Sequence, residues 1–234
     1  MSDAITFAVI LPAAGRSTRF AADTNKLLQP LDGRPVIARA AAAFLCRHDV
    51  VQLVIPTFNP DPIREALGPL AADTRIEFCP GGDCRAASVQ NALARVAPAV
   101  PWVAVHDAAR PLISRPLIDR TLAAAVAHGA AVAALPVTLT VKQADGPLPA
   151  LVGKTVPRHQ LWAVQTPQIM SRRDLADAFA RCPIPLSQIT DDTQLLELLG
   201  LPVMLIPGEE RNIKITTLQD MFLANILILE PQSR

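Results

Sequence analysis

Neither sign of charge prevails in this sequence: 22 Lys and Arg stand against 21 Asp and Glu, for a formal net charge of +1. General electrostatic binding to nucleic acid or to a membrane surface needs many uncompensated basic groups, so neither is expected as a partner and any basic site must be local. Cysteine is scarce as well. Cys46, Cys79, Cys84 and Cys182 form no C-x-x-C pair and have no histidine at zinc-finger spacing, which argues against a disulfide framework or a structural zinc and for a reducing compartment. Met1-Ser2-Asp3 supplies no basic leader, and the apolar run Ile5 to Leu11 is far too short to span a bilayer. The expectation is a soluble, cytoplasmic protein.

What the chain has is apolar material: 50% of its 234 residues are hydrophobic and only 18% charged, enough for a sizeable core. The length suits a single domain over residues 1–234, with room for an appendage. Short β-branched runs alternate with stretches of helical period, the pattern of an α/β fold with a mainly parallel sheet. Ile5 to Leu11, Val50 to Ile55, Arg75 to Cys79, Trp102 to His106, Ala130 to Val137 and Pro202 to Ile206 read as strands. Pro35 to Arg47, Ile63 to Leu70, Arg85 to Val96, Arg115 to His128 and Thr217 to Leu229 read as helices. Residues 138–165 break the alternation, being polar, rich in Pro and Gly and without helical period. A segment of that length is rarely structureless in a compact domain, so it is expected to protrude as an arm, to pair with something, or both.

Polar residues cluster where strands should end, the place where open α/β sheets bind ligands. After the first strand come Ala13, Ala14 and Gly15, then Arg19 and Lys26: small residues that let backbone N–H groups approach a phosphate, with two cations nearby. A small turn with solvated cations would read the same. No G-K-[ST] follows, and Ser17 occupies the second glycine position of G-x-G-x-x-G, so neither a Walker loop nor a dinucleotide fingerprint is present. Gly81-Gly82-Asp83 with Ser88 offers tight backbone and polar groups for a nucleobase edge, or else an Asp83 helix cap. His106, Asp107, Ala108 and Arg110 end a buried strand. Asp107 suits a ribose hydroxyl or a divalent metal on phosphates, with Arg110 holding the loop, and His106 reads as a satisfied core residue. Thr140, Lys142 and Arg158 lie on the arm; Thr166, then Thr190-Asp191, which resembles a helix start, and Lys214 follow.

In this order A-A-G-x-x-x-R, K-L-L, G-G-D-x-R-x-x-S-V, H-D-A-A-R-P, T-x-K, T-V-x-R, T-P-Q, T-D-D and N-I-K-I-T resemble the 2-C-methyl-D-erythritol 4-phosphate cytidylyltransferases of non-mevalonate isoprenoid precursor synthesis. The resemblance covers nearly the whole chain. It implies a Rossmann-like nucleotidyltransferase domain, a β-arm that clasps a second subunit in a homodimer, and magnesium-dependent formation of CDP-methylerythritol and pyrophosphate from CTP. Position by position, it makes Arg19, Lys26 and Lys214 the catalytic cations. Ala13, Ala14, Gly15, Gly82, Asp83, Ser88, Asp107 and Ala108 become nucleotide contacts, with Asp107 on the metal side. Thr140, Lys142, Arg158, Arg110, Thr166 and Thr190 become contacts of methylerythritol phosphate, those on the arm acting across the dimer. Ser17, Asn25, Leu27-Leu28, Leu139 and Arg211 depart from the family pattern. Ribitol 5-phosphate cytidylyltransferases share most of these motifs, though the T-x-K element favours methylerythritol phosphate. A catalytically weak nucleotide-binding relative is the remaining alternative.

Overall fold

The computed structural model describes residues 5–15, 20 and 25–229. The first half of the chain forms β1 (Phe7–Ile10), the two-residue strands β2 (Pro30–Leu31) and β3 (Arg34–Pro35), α1 (Val36–Leu45), β4 (Val50–Thr57), α2 (Pro60–Leu67), β5 (Ile76–Pro80), α3 (Arg85–Leu93) and β6 (Trp102–Val105). The second half forms α4 (Arg115–His128), β7 (Ala130–Pro136), β8 (Val141–Ala144), β9 (Val152–Val156), β10 (Trp162–Ser171), α5 (Arg172–Ala180), α6 (Thr193–Glu197), β11 (Met204–Pro207) and α7 (Leu218–Leu229). A seven-stranded sheet runs in the order β11-β7-β10-β6-β1-β4-β5. All its pairings are parallel except those of β10, which is antiparallel to both neighbours. The expected α/β class with a mainly parallel sheet is therefore the observed one.

Period two sorts the strand residues between two cores. On β1, Phe7 and Val9 pack with α1 and α4, while Ala8 and Ile10 pack with α3 and α5. Burial on both faces is why these strands are almost continuously apolar. The ends of α4 fall where the sequence places them. The Ser114 hydroxyl accepts the Leu117 N–H at 3.1 Å, Pro116 sits in the first turn where its missing N–H costs nothing, and Gly129 ends the helix at φ +93°. Elsewhere the boundaries differ. α1 and α3 stop at Leu45 and Leu93, short of Arg47 and Val96, and α2 starts early, at Pro60, because Asn59 accepts the Asp61 N–H.

The expected arm is an antiparallel hairpin, with Val141 opposite Val156 and Lys142 opposite Thr155. It ends sooner than residue 165. From Trp162 the chain is already in β10, with Trp162, Ala163 and Val164 paired to Pro136, Leu135 and Ala134. The sequence hides β10 because Pro167 lies within it, and a proline cannot donate to a ladder. The register with β7 shifts between Val164 and Gln168, around that proline.

Candidate active site

Because β1, β4, β5 and β6 are parallel, their C-terminal ends share one edge of the sheet. A cavity of about 710 Å³ opens there. Its wall takes Ala14 and Gly15 from the loop after β1, Lys26 and Leu27 from the next turn, and Phe58 from the end of β4. Gly82, Asp83, Cys84, Arg85 and Ser88 follow β5, Asp107 and Ala108 follow β6, and Lys214 comes from the segment before α7. The structure thus gathers nine of the residues singled out in the sequence: Ala14, Gly15, Lys26, Gly82, Asp83, Ser88, Asp107, Ala108 and Lys214. Ala13 is buried beside them, and Arg19 lies outside the described residues, as does Ser17. Lys26 opens a single 3-10 turn that Asn25 caps, its carboxamide accepting the Leu27 N–H at 3.0 Å. The Asn25 departure therefore has a local structural use.

The paired glycines bring two loops together. A Cβ on Gly81 would lie 2.5 Å from the Ala14 Cβ, and one on Gly82 would lie 2.6 Å from the Ala87 Cβ, so neither position tolerates a side chain without backbone movement. Gly82 N–H donates to Ser88 Oγ at 3.0 Å, and the Ser88 hydroxyl donates to the Cys84 carbonyl at 3.0 Å. Ser88 thus folds the loop that presents Asp83. Asp83 does not cap α3, contrary to the capping alternative: Cys84 does, its Sγ accepting the Ala87 N–H, and Asp83 lines the cavity.

Asp107 is the electrostatic centre of the site. One oxygen, Oδ1, accepts from Arg85 Nε at 3.2 Å; the other, Oδ2, faces Lys214 Nζ at 2.8 Å and Arg110 Nε at 3.6 Å. Burial alone would raise the Asp107 carboxyl, but Arg85, Lys214 and Arg110 together hold it far below the usual carboxylate range. Behind Arg85 stands Asp192, fully buried, with Oδ2 at 2.8 Å from Arg85 Nη1. The two ends of that pair shift unequally. Burial disfavours both charges, and Asp192 is pushed up, whereas Arg85, set between two carboxylates, is held more firmly protonated.

A polar shell beneath the cavity fixes these groups. His106 is fully buried; its Nε2–H donates to the Arg110 carbonyl and its Nδ1 accepts from the Thr166 hydroxyl, each at 3.1 Å. Burial lowers its pKa to about 4, so it is neutral at neutral pH and bonded at both nitrogens, a satisfied core residue. Thr166 Oγ1 also accepts the Asp107 N–H at 3.0 Å. Arg110, buried, donates to the Asn212 carbonyl at 2.7 Å, and Ile215 N–H donates to the Ala109 carbonyl at 2.8 Å, so the segment carrying Lys214 is tied to the Asp107 loop. Arg110 and Thr166 therefore support the cavity from behind and do not line it. Thr190 is also off the wall, bonded to Gln194 Oε1 through both its N–H and its hydroxyl, and Asp191 starts α6 by accepting the Gln194 N–H at 2.9 Å. Thr140, Lys142 and Arg158 lie on or beside the exposed hairpin, where Lys142 donates to the Thr155 hydroxyl at 2.7 Å and Arg158 to the Thr138 carbonyl.

The sequence assigns no individual role to Arg85, Asp192 or Gln168, although all three stand in motifs singled out above, and Gln165 is passed over. The buried amides of Gln165 and Gln168 hold the Glu209–Asn212 and Asp192–Thr193 segments. Such glutamines in a strand with a proline were the available signal.

With this geometry in place, comparison with known proteins is direct. Residues 7–230 match the family model described as 2-C-methyl-D-erythritol 4-phosphate cytidylyltransferase. The chain belongs to this family. The Gloeobacter violaceus protein of that name is 40% identical over 222 residues, covering 94% of this chain and 95% of the relative. The Rhodopirellula baltica protein of that name is 35% identical over 246 residues, covering 100% and 99%. Among solved structures, the Francisella tularensis 2-C-methyl-D-erythritol 4-phosphate cytidylyltransferase superposes with a TM-score of 0.81 at 29% identity, covering 95% of this chain and 99% of that one. The Thermus thermophilus cytidylyltransferase gives 0.76 at 36% identity, covering 95% and 98%.

Proposed function

We propose that the chain joins CTP to 2-C-methyl-D-erythritol 4-phosphate, giving CDP-methylerythritol and pyrophosphate for isoprenoid precursor synthesis. The observation that carries this reading is the convergence on one cavity of the small-residue loop with Lys26, the Gly81–Ser88 loop and the Lys214–Asp107 pair. A triphosphate laid along Ala14, Gly15 and Lys26 puts its base toward Asp83. Cytosine offers that edge an amine donor where uracil offers an acceptor.

Charge dictates the mechanism. An oxygen of the methylerythritol phosphate attacks the α-phosphorus of CTP, the bond to the bridging oxygen breaks, and pyrophosphate leaves with that electron pair. The attacking oxygen is already ionised, so no general base is needed. The protein positions two anions in line and neutralises them. Lys26 and Arg19 serve the triphosphate, and Lys214 turns from Asp107 to phosphate as the ligands arrive. Magnesium suits this site: it takes one or two carboxylates, waters and substrate phosphates, and Asp107 is the carboxylate placed to share it. Among the described residues there is no cluster of three or more His, Cys, Asp or Glu that would bind a metal without the nucleotide. Bound with CTP, the ion would offset charge on the phosphates.

The arm supplies Thr140, Lys142 and Arg158 to the second subunit of a homodimer. What supports this is its apolar exposure, with Leu148 84% and Leu151 92% exposed on the single chain. No helix among the described residues is long and apolar enough to cross a membrane, and the reading places the enzyme in the cytoplasm. The test is pyrophosphate release with magnesium, CTP and methylerythritol phosphate. Turnover is expected with that pair and abolished by EDTA. Faster turnover with ribitol 5-phosphate would favour the alternative polyol, and none with either would leave a nucleotide-binding relative.

A further inference from the structure

Arg85 lines the cavity yet has no part in the proposed reaction. Its guanidinium bridges two carboxylates from distant segments, donating through Nε to Asp107 Oδ1 and through Nη1 to Asp192 Oδ2. Asp192 is not on the cavity wall. It is fully buried, its Oδ1 has no partner among the described residues, and its backbone N–H is fixed by Gln168 Oε1 at 2.8 Å. A buried carboxylate with one oxygen unsatisfied is expensive to keep, and an apolar residue there would pack without that cost. What it supplies is direction: it fixes the fork of Arg85 from behind.

The consequence falls on Asp107. With Arg85 holding Oδ1, the carboxylate cannot swing about its Cβ–Cγ bond to chelate its other cations. Lys214 is then left on one oxygen, at 2.8 Å, with its side chain 37% exposed and able to leave for a phosphate. Without Arg85 both oxygens would be free to engage Lys214 and Arg110 and to retain the lysine.

The geometry points to Arg85 as a positioning residue for cytidylyl transfer: anchored by Asp192, it fixes Asp107 so that Lys214 is released to the reacting phosphates. This rests on the proposed reaction, and wild-type pyrophosphate release checks that reading separately. The variants are Arg85→Met, Arg85→Met with Asp192→Asn (which leaves no unpaired buried charge should the single variant not fold), Asp107→Asn, and Arg85→Met with Asp107→Asn. In folded protein, loss of Arg85 is expected to lower kcat roughly thirtyfold or more, with KM for CTP moving less than about threefold. In the Asp107→Asn background its loss should cost less than about threefold further, because residues acting as a unit are not additive. A kcat near wild type, a rise in KM alone, or losses that multiply would each overturn the role. A crystal structure of the Arg85→Met, Asp192→Asn protein reads the same point without turnover. Asp107 is expected to turn both oxygens to Lys214 and Arg110, and an Asp107 carboxylate left in place would overturn the proposal even if the wild type ignored CTP.

Discussion

Lys214 reaches the cavity from a segment tied down on all sides: Asn212 is fully buried and donates to the Thr166 carbonyl at 2.8 Å, and Ile215 is fully buried and bonded to Ala109. Lys142 and Arg158 belong to an arm on which Leu139, Leu148, Leu151 and Val152 are exposed, while Val141 and Val156, paired across its hairpin, are only half-buried. In the proposed reaction both regions present cations to phosphorylated ligands, and they are built in opposite ways. The cavity side is preorganised by one chain, its carboxylates and cations matched before any ligand arrives. The arm has little core of its own, and an isolated two-stranded hairpin is marginal in water. The contrast teaches that, under the proposed function, the nucleotide half of the site would be a property of the fold, whereas the polyol phosphate half would need a surface for the arm to lie on.

The largest effect should come from the cavity side. Lys26→Ala is expected to fold and to lose at least roughly a hundredfold in kcat, about 3 kcal/mol of transition-state stabilisation. Steady-state kinetics on the folded variant would remove Lys26 from the machinery if turnover stayed near wild type. Next, CTP should be preferred to UTP by roughly a hundredfold in kcat/KM, since a desolvated polar edge rejects the mismatched base. Comparable rates would mean that the loop carrying Asp83 does not read it.

Smaller effects sharpen the contrast in stability. Thr166→Val leaves the Asp107 N–H and His106 Nδ1 without their partner, and urea unfolding should show a loss of about 1–3 kcal/mol. A change within about 0.5 kcal/mol would mean that the shell does not hold the site. On the arm, Leu148→Ser and Leu151→Ser should leave the stability of the isolated chain within about 0.5 kcal/mol while weakening self-association in sedimentation. An unchanged association constant would remove these side chains from the interface.

The parallel strands and α4 were legible because each carries its own signal: period, proline in the first turn, and a terminal glycine. β10 was not, because its buried residues include Gln165, Thr166 and Gln168, whose polarity is satisfied by segments far along the chain. The same reason hid Asp192, since nothing local announces that a carboxylate will meet Arg85 across 107 positions. The loops that line the cavity stood out in the sequence because small and polar residues cluster where the strands end. Which of those polar residues line the wall and which brace it from behind, as Arg110 and Thr166 do, depends on packing that no spacing encodes. Two departures from the family pattern find local explanations: Asn25 caps the turn of Lys26, and Arg211 donates to the Leu227 carbonyl of α7 at 2.7 Å.

The claim that one site is shared between the cavity of one chain and the arm of another is tested most directly by complementation. Lys26→Ala and Arg158→Ala, each inactive alone, are mixed under conditions where subunit exchange is verified by mass-tagged chains. Heterodimers then contain one site with both residues intact, so the account predicts that pyrophosphate release with CTP and methylerythritol phosphate returns, approaching about a quarter of the wild-type rate for statistical exchange, half the molecules carrying one working site of two. Exchange without recovery of activity would contradict it.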